Sequence, residues 1–221
     1  MELEDTLFWV GHASFYIKAN GATIFIDPFK VSDSVKEKAD LILLTHAHFD
    51  HTNKPDIEKV RNSGTKFIAS QKCLDKKEYG SLEVSRPGFK TDFKGIGIEA
   101  VRAYNHKKER LGFHPKEEEW VGYVLDIDGT RIYHAGDTDF IPEMSDLKDI
   151  DYALLPMGGT YTMTVDEAAE AAKEIKPKKV IPMHYKMILG ENASRELEAK
   201  AKSKMDNAII MNEVQDPIYS F

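Results

Sequence analysis

Within the seven-residue stretch Thr45-His46-Ala47-His48-Phe49-Asp50-His51, four side chains have the types and spacing to hold metal ions: His46, His48, Asp50 and His51. The apolar run Leu41 to Leu44 just before them reads as a short buried strand. Because His46 and His48 lie two apart at its end, strand pleating would turn both imidazoles to one side, where they can share an ion. Asp50 and His51 lie beyond the strand, where the chain turns toward a helix and can aim a carboxylate and a third imidazole at a second point. Imidazoles and carboxylates without thiolate suit Zn²⁺ first, and also Mn²⁺ or Fe. Two such ions ~3.5–4 Å apart can activate one water and clamp substrate oxygens, which is hydrolytic chemistry.

The elements that must position this stretch can be read on either side of it. Residues 14 to 27 alternate as a hairpin turning at Asn20-Gly21 and ending at Asp27-Pro28. Asn53 and Pro55 start a helix that runs to about Asn62, and Lys66 to Ala69 forms another strand. A similar order recurs downstream. A hairpin from Val121 to Ala135 turns at Asp128-Gly129, Asp137 follows, a helix covers about Pro142 to Leu147, and Tyr152 to Leu155 is a strand. Thr164 and Glu167 have capping-box spacing for a helix ending near Ile175, which Pro177 stops before the strand Val180 to Met183 and His184. A charged helix after Ala193 and a short strand from Ala208 to Met211 complete the chain. The repetition suggests a single domain over 1–221 made of two similar halves, about 1–100 and 101–221, each a half-sheet with helices outside.

Bulk composition narrows the function classes. The chain of 221 residues is 42% hydrophobic and 10% aromatic, ample for a buried core. A formal net charge of −7 argues against general nucleic-acid binding, which depends on Lys and Arg releasing counterions; Lys107 to Arg110 is the compact basic cluster near a candidate site, and reads more simply as a solvated loop. Cys73 is the only cysteine, so neither an internal disulfide nor a cysteine zinc knuckle can form. With an acidic start and no apolar run near the ~20 residues that span a bilayer, a cytoplasmic location is expected. No Gly-x-Ser-x-Gly or Gly-Lys-Ser/Thr segment is present, so serine hydrolase and P-loop chemistry lack a local signal.

His-x-His-x-Asp-His after an apolar strand, Gly136-Asp137-Thr138 after a hairpin and Pro182-Met183-His184 after a late strand together resemble the metallo-β-lactamase superfamily. Gly11-His12-Ala13-Ser14, Ile26-Asp27-Pro28 and Gly158 to Met163 are similar to a branch that includes lactonases and phospholipase D-like hydrolases. The resemblance implies an α/β fold, an αββα sandwich of two mixed β-sheets, with two divalent ions in a cleft at the strand ends. It also implies that Asp137 bridges both ions and that His184 completes the second site.

One more histidine is usual for the first ion, and the stretch Arg102-Ala103-Tyr104-Asn105-His106 is ambiguous by one residue. Asn105 is a poor zinc ligand, so His106 is the choice, with His114 in the following loop as substitute. His12 could line the cleft or serve a local turn. Asp27 is expected to orient a ligand histidine, since such rings usually donate their other N–H to a carboxylate or carbonyl. Tyr161 could donate to a developing oxyanion or pack as a phenol, and His134 reads as structural.

The function expected is hydrolysis of an ester, lactone or phosphodiester bond of a small-molecule substrate by a metal-activated water, with Asp50 managing the proton. An iron oxidoreductase on the same fold is the alternative, and a non-catalytic ligand sensor a third. An oligomer is compatible with all of these.

Overall fold

The computed structural model describes residues 6–214. The chain forms two compact units, one holding the described residues up to Ser85 together with those from Asn212 on, the other Arg86–Met211.

The sheet of the first unit runs in chain order: β1 (Leu7–Gly11), β2 (Ser14–Ala19), β3 (Ala22–Ile26), β4 (Leu41–Leu44), β5 (Lys66–Ser70) and β6 (Leu82–Ser85). Pairing is antiparallel from β1 to β3 and parallel from β3 to β6. The β2–β3 turn needs left-handed backbone at both central positions, and Asn20 (φ 50°) and Gly21 (φ 65°) supply it. β4 is buried along its whole length between β3 and β5, which explains its unbroken Leu-Ile-Leu-Leu run. The parallel step from β4 to β5 is made through α1 (Lys54–Val60), capped by the Asn53 side chain accepting from Asp56 N–H. Ile57 and Val60 of α1 pack into a core with Tyr16, Phe25, Ile42 and Phe67. Buried Asp56 accepts from the backbone of Lys30 (2.7 Å) and Val31 (3.1 Å), fixing the loop that follows β3.

The sheet of the second unit also runs in chain order: β7 (Lys90–Phe93), β8 (Ile96–Arg102), β9 (Val121–Ile127), β10 (Thr130–His134), β11 (Tyr152–Pro156) and β12 (Lys179–Met183). Pairing is antiparallel up to β10, then parallel. α2 (Val165–Ile175) begins with the capping box Thr164–Glu167, both halves of which are formed. α3 (Lys186–Lys204) is interrupted at Gly190, whose φ of 74° and ψ of 175° lie outside the helical region.

Each unit therefore contains a hairpin followed by a strand, a helix and a strand in parallel: β2–β3, β4, α1, β5 in one and β9–β10, β11, α2, β12 in the other. The boundary falls between Ser85 and Arg86 instead of near residue 100, because β7 and β8 pair with β9 and so belong to the second sheet. The expected helix at about Pro142 to Leu147 is present as a five-residue 3-10 helix, Pro142–Asp146, with Leu147 at its C-cap. Past the break at Gly190 the charged closing helix resumes, close to its expected start after Ala193, and a short helical stretch from Lys186 precedes it. Ala208 to Met211 is no strand: Ala208 makes an isolated bridge to Val180.

Gly122 in β9 is required by close approach, since a Cβ there would stand 2.5 Å from the carbonyl oxygen of His134 and 2.7 Å from that of Ala135. Gly122→Ala is expected to lose about 2 kcal/mol of stability in urea unfolding, the cost of overpacking against backbone that cannot yield. Burial pushes the Cys73 thiol up to about 12. Its folded value lies above the unfolded one, so its contribution to stability is complete below pH about 9 and falls as pH rises toward about 12. A thiol reagent at pH 8 should modify Cys73 only at the rate of unfolding, tested by comparing native with urea-unfolded protein.

Candidate metal centre

In the first unit the candidate ligands hang from the C-terminal end of β4, and the buried carboxylate of Asp27 holds them in place. Asp27 follows β3 with a left-handed backbone (φ 47°) and is fully buried. It accepts from Thr45 N–H (2.8 Å), Thr45 Oγ1 (2.6 Å) and His51 Nδ1 (2.7 Å). A carboxylate only accepts, so His51 carries its proton on Nδ1 and turns the lone pair of Nε2 outward. The Thr45 hydroxyl spends its one hydrogen on Asp27, so at its 2.9 Å contact with His46 Nδ1 it must accept. His46 is thereby protonated on Nδ1 and presents Nε2. That nitrogen lies 3.1 Å from His48 Nδ1, near the separation of ~3.3 Å expected for two imidazoles on one tetrahedral ion. Asp27, His46 and His51 offer donor atoms within 4.8 Å of one another.

Asp50 is part-exposed, with Oδ2 3.0 Å from His12 Nε2 and 3.9 Å from His51 Nε2. His12 is itself buried on a left-handed backbone (φ 52°), its ring 5.8 Å from that of His51. The residue expected either to line the cleft or to serve a local turn thus meets a candidate proton carrier.

In the second unit two imidazoles converge on one carboxylate oxygen. His184 Nε2 lies 2.9 Å and His114 Nε2 3.3 Å from Oδ2 of Asp137, all three buried. Asp137 follows β10 through Gly136 (φ 63°), and His184 follows β12 on a left-handed backbone (φ 58°). Gly158 is needed beneath it, because a Cβ there would collide with the His184 carbonyl.

His114 has an anchor of its own. Asn105 Nδ2 donates to Asp139 Oδ1 (3.1 Å), which leaves Asn105 Oδ1 to accept from His114 Nδ1 (2.6 Å). With a proton on Nδ1, His114 turns Nε2 toward Asp137 Oδ2, an imidazole nitrogen and a carboxylate oxygen that a divalent cation can share. The donor set in both units therefore fits divalent metal ions.

His106 is not brought to this cluster. Its side chain is 43% exposed with Nδ1 3.9 Å from Asp139 Oδ2, and it lines a cleft of about 250 Å³ with Lys107, Phe140, Ile141, Pro142 and Glu167. The physical reason is that the backbone N–H groups of His106 and Lys107 both donate to Asp139 Oδ2 (2.9 Å each), turning the chain away. Arg110 completes that anchor, with Nε 2.6 Å from Asp139 Oδ1 and Nη2 2.6 Å from Glu167 Oε1. Burial alone would lower the Arg110 pKa, but these two carboxylates outweigh it and hold the guanidinium above its ordinary value. Tyr161 is exposed, in edge contact with Phe113 at 4.8 Å. His134 is buried and accepts from Gly136 N–H (3.2 Å), which shapes the turn before Asp137. The Asp139–Arg110–Glu167 network escaped the sequence reading; its one signal is a second aspartate two residues after Asp137.

Residues 6–184 match the family model described as a beta-lactamase superfamily domain. A UPF0173 metal-dependent hydrolase of Thermococcus kodakarensis is 38% identical over 190 residues, covering 80% of this chain and 83% of the relative. A crystal structure from Parabacteroides distasonis, provisionally assigned as a metal-dependent hydrolase, superposes with a TM-score of 0.82 at 38% identity, covering 94% of this chain and 92% of its own. The fold is also similar to CmlA, a diiron β-hydroxylase from Streptomyces venezuelae, with a TM-score of 0.75 at 14% identity over 95% of this chain and 53% of CmlA.

Asp27→Ala would leave the buried Thr45 N–H and His51 Nδ1–H without their acceptor. In urea unfolding of chelator-treated protein it should cost about 3 kcal/mol, against about 1 kcal/mol for Thr45→Val.

Proposed function

Because the chain belongs to the beta-lactamase superfamily and has its α/β fold of two mixed sheets, we propose that it is a binuclear metal-dependent hydrolase acting on an ester, lactone or phosphodiester bond. That it is a metal-dependent hydrolase follows from its relatives; the bond class, the number of ions and the ligand roles are our reading. We take the two units as halves of one domain over 1–221. The ligands are His46, His48, Asp50, His51, His114, Asp137 and His184, with His114 in the place first given to His106.

The observation that carries this reading is the locking of three imidazoles in one tautomer. His46, His51 and His114 each bind through Nδ1 to a fixed neighbour, Thr45, Asp27 and Asn105, and keep Nε2 for a ligand. Orientation is then settled before metal arrives, which lowers the ordering cost of binding. The ions, when bound, would activate a water at neutral pH and stabilise negative charge on the attacked group. Zn²⁺ suits these donors best, with Mn²⁺ and Fe as substitutes. Asp50 Oδ2 holds the proton that the water gives up, and His12 Nε2, 3.0 Å away, steadies that carboxylate. Asp137 Oδ2 stands where Nε2 of His114 and Nε2 of His184 converge. No side-chain nucleophile is required. A single buried thiol suits a reducing, cytoplasmic setting.

The same donors also suit iron, and the diiron hydroxylase of similar fold makes oxygen chemistry the second reading. Protein purified without added metal and then analysed for metal content and oxygen uptake separates the two, since stoichiometric oxygen consumption by an iron form would replace the hydrolase reading. For the hydrolase, two ions per chain are expected in wild type and in His106→Ala, and fewer than two in His114→Ala. His106→Ala losing an ion while His114→Ala keeps both would reverse the assignment. Asp50→Ala should lower kcat on activated esters and lactones by at least about 100-fold, with the far-UV spectrum unchanged.

A further inference from the structure

Six large apolar side chains are exposed among the described residues: Phe49, Val84, Leu111, Phe113, Tyr161 and Met187. Scattered singly, such residues mean little, because much of any protein surface is apolar. Here all but Val84 stand within three residues of a candidate ligand or touch a residue that does. Phe49 lies between His48 and Asp50, Leu111 and Phe113 precede His114, Met187 follows His184, and Tyr161 meets Phe113 edge to face with ring centroids 4.8 Å apart.

In the second unit this grouping is built into the fold. Phe113 is the residue next to His114, and its ring contacts that of Tyr161. The loop bearing Tyr161 starts from β11, where Met157 N–H donates to the Met183 carbonyl (3.0 Å) and Gly158 lies against the backbone of His184. The aromatic pair is thus tied at one end to His114 and at the other to the segment carrying His184. Both rings are more than a third exposed, and Leu111, two residues before Phe113, is 52% exposed. Keeping three such side chains in water forgoes hydrophobic stabilisation, so their position invites a ligand that covers them.

Phosphate and carboxylate groups are recognised by available guanidinium and ammonium groups. Arg110, the arginine of this loop, is buried and committed to Asp139 and Glu167. Lys107 lies 3.8 Å from Glu167, Lys116 is held by Glu143 and Tyr104, and Lys108 is exposed. We propose that Leu111, Phe113 and Tyr161 form the binding site for an apolar arm, aliphatic or aryl, on the acyl side of an ester or lactone. This rests on the hydrolase reading above and gives its substrate class.

Two measurements on zinc-loaded protein test it separately from that reading. The first is kcat/KM for ethyl esters with acyl chains from acetyl to octanoyl. A rise of about two- to fourfold per CH2 is expected, the upper value being that of a fully buried methylene. The slope should flatten in the double variant Phe113→Ser, Tyr161→Ser and return in Phe113→Leu, with metal content unchanged. The second is binding of acetate and of octanoate by calorimetry, which needs no turnover. Octanoate should bind at least tenfold more tightly than acetate in wild type and no more tightly in the double variant. If no ester is turned over but octanoate is preferred, the hydrolase reading falls and the apolar site stands. If esters are hydrolysed without chain-length dependence and the two carboxylates bind alike, the apolar site is overturned and hydrolysis stands. A double variant that changes only sedimentation behaviour would also overturn it, marking the patch as an interface between copies of this chain.

Discussion

The Asp27 carboxylate governs what the first unit can present at the end of β4. It sits where water cannot reach, and its three donors supply the solvation that a buried anion must have. Those donors belong to the segment that carries the candidate ligands, so the need to satisfy the anion and the need to aim the imidazoles are met by the same bonds. Thr45 is the hinge of this arrangement, because its hydroxyl passes the constraint from Asp27 to His46. Four backbone positions beside candidate ligands, His12 and Asp27 in the first unit and Gly136 and His184 in the second, adopt left-handed conformations. For the three that are not glycine this is an unfavourable backbone, tolerated where surrounding contacts over-determine it.

The second unit reaches a similar end with different parts. Asp139 is as deeply buried as Asp27, but it acts through an amide: Asn105 passes the constraint to His114. Its remaining valences secure the loop from His106 to Arg110, and Arg110 joins that loop to Glu167 at the start of α2. The capping glutamate of a helix is therefore one contact from the loop that bears a candidate ligand. Glu167 ionises more readily than an ordinary glutamate: burial opposes this, and the bonds from Arg110 and Thr164 prevail.

Much of this was legible in the sequence because local rules and the fold agree. Asn20-Gly21 and Asp128-Gly129 mark hairpins that form, Thr164 and Glu167 mark a capping box that forms, and Leu41 to Leu44 is a buried parallel strand. Part of what escaped lacks a local signal. β7 is a half-exposed edge strand of alternating polar residues, and β6 is short, so neither stands out from a loop. Pro142–Asp146 has a helix start and forms a helix, but of the tighter 3-10 kind. Where His106 and His114 come to lie depends on a bend of the chain that Asp139, more than thirty residues from His106 in sequence, holds through the backbone of His106 and Lys107. Spacing reports on ligands that share a strand; it says nothing about ligands delivered by a loop whose course is set by a distant carboxylate.

The strand order of the two sheets bears on how the chain comes to be folded. Each hydrogen-bonded pair within either sheet joins strands that are neighbours in sequence, so pairing never has to wait for a distant partner and loop closure costs little entropy at each step. On a ribosome, β1 to β6 can assemble in the order in which they emerge, ahead of the second sheet. One contact breaks this order. Val214 N–H donates to the Trp9 carbonyl at 2.7 Å, and Glu213 bridges to Trp9 beside β1. The β1 edge of the first sheet is met by Glu213 and Val214 only after the last strand of the second sheet has been made, which leaves β1 exposed as an edge strand in a half-made chain.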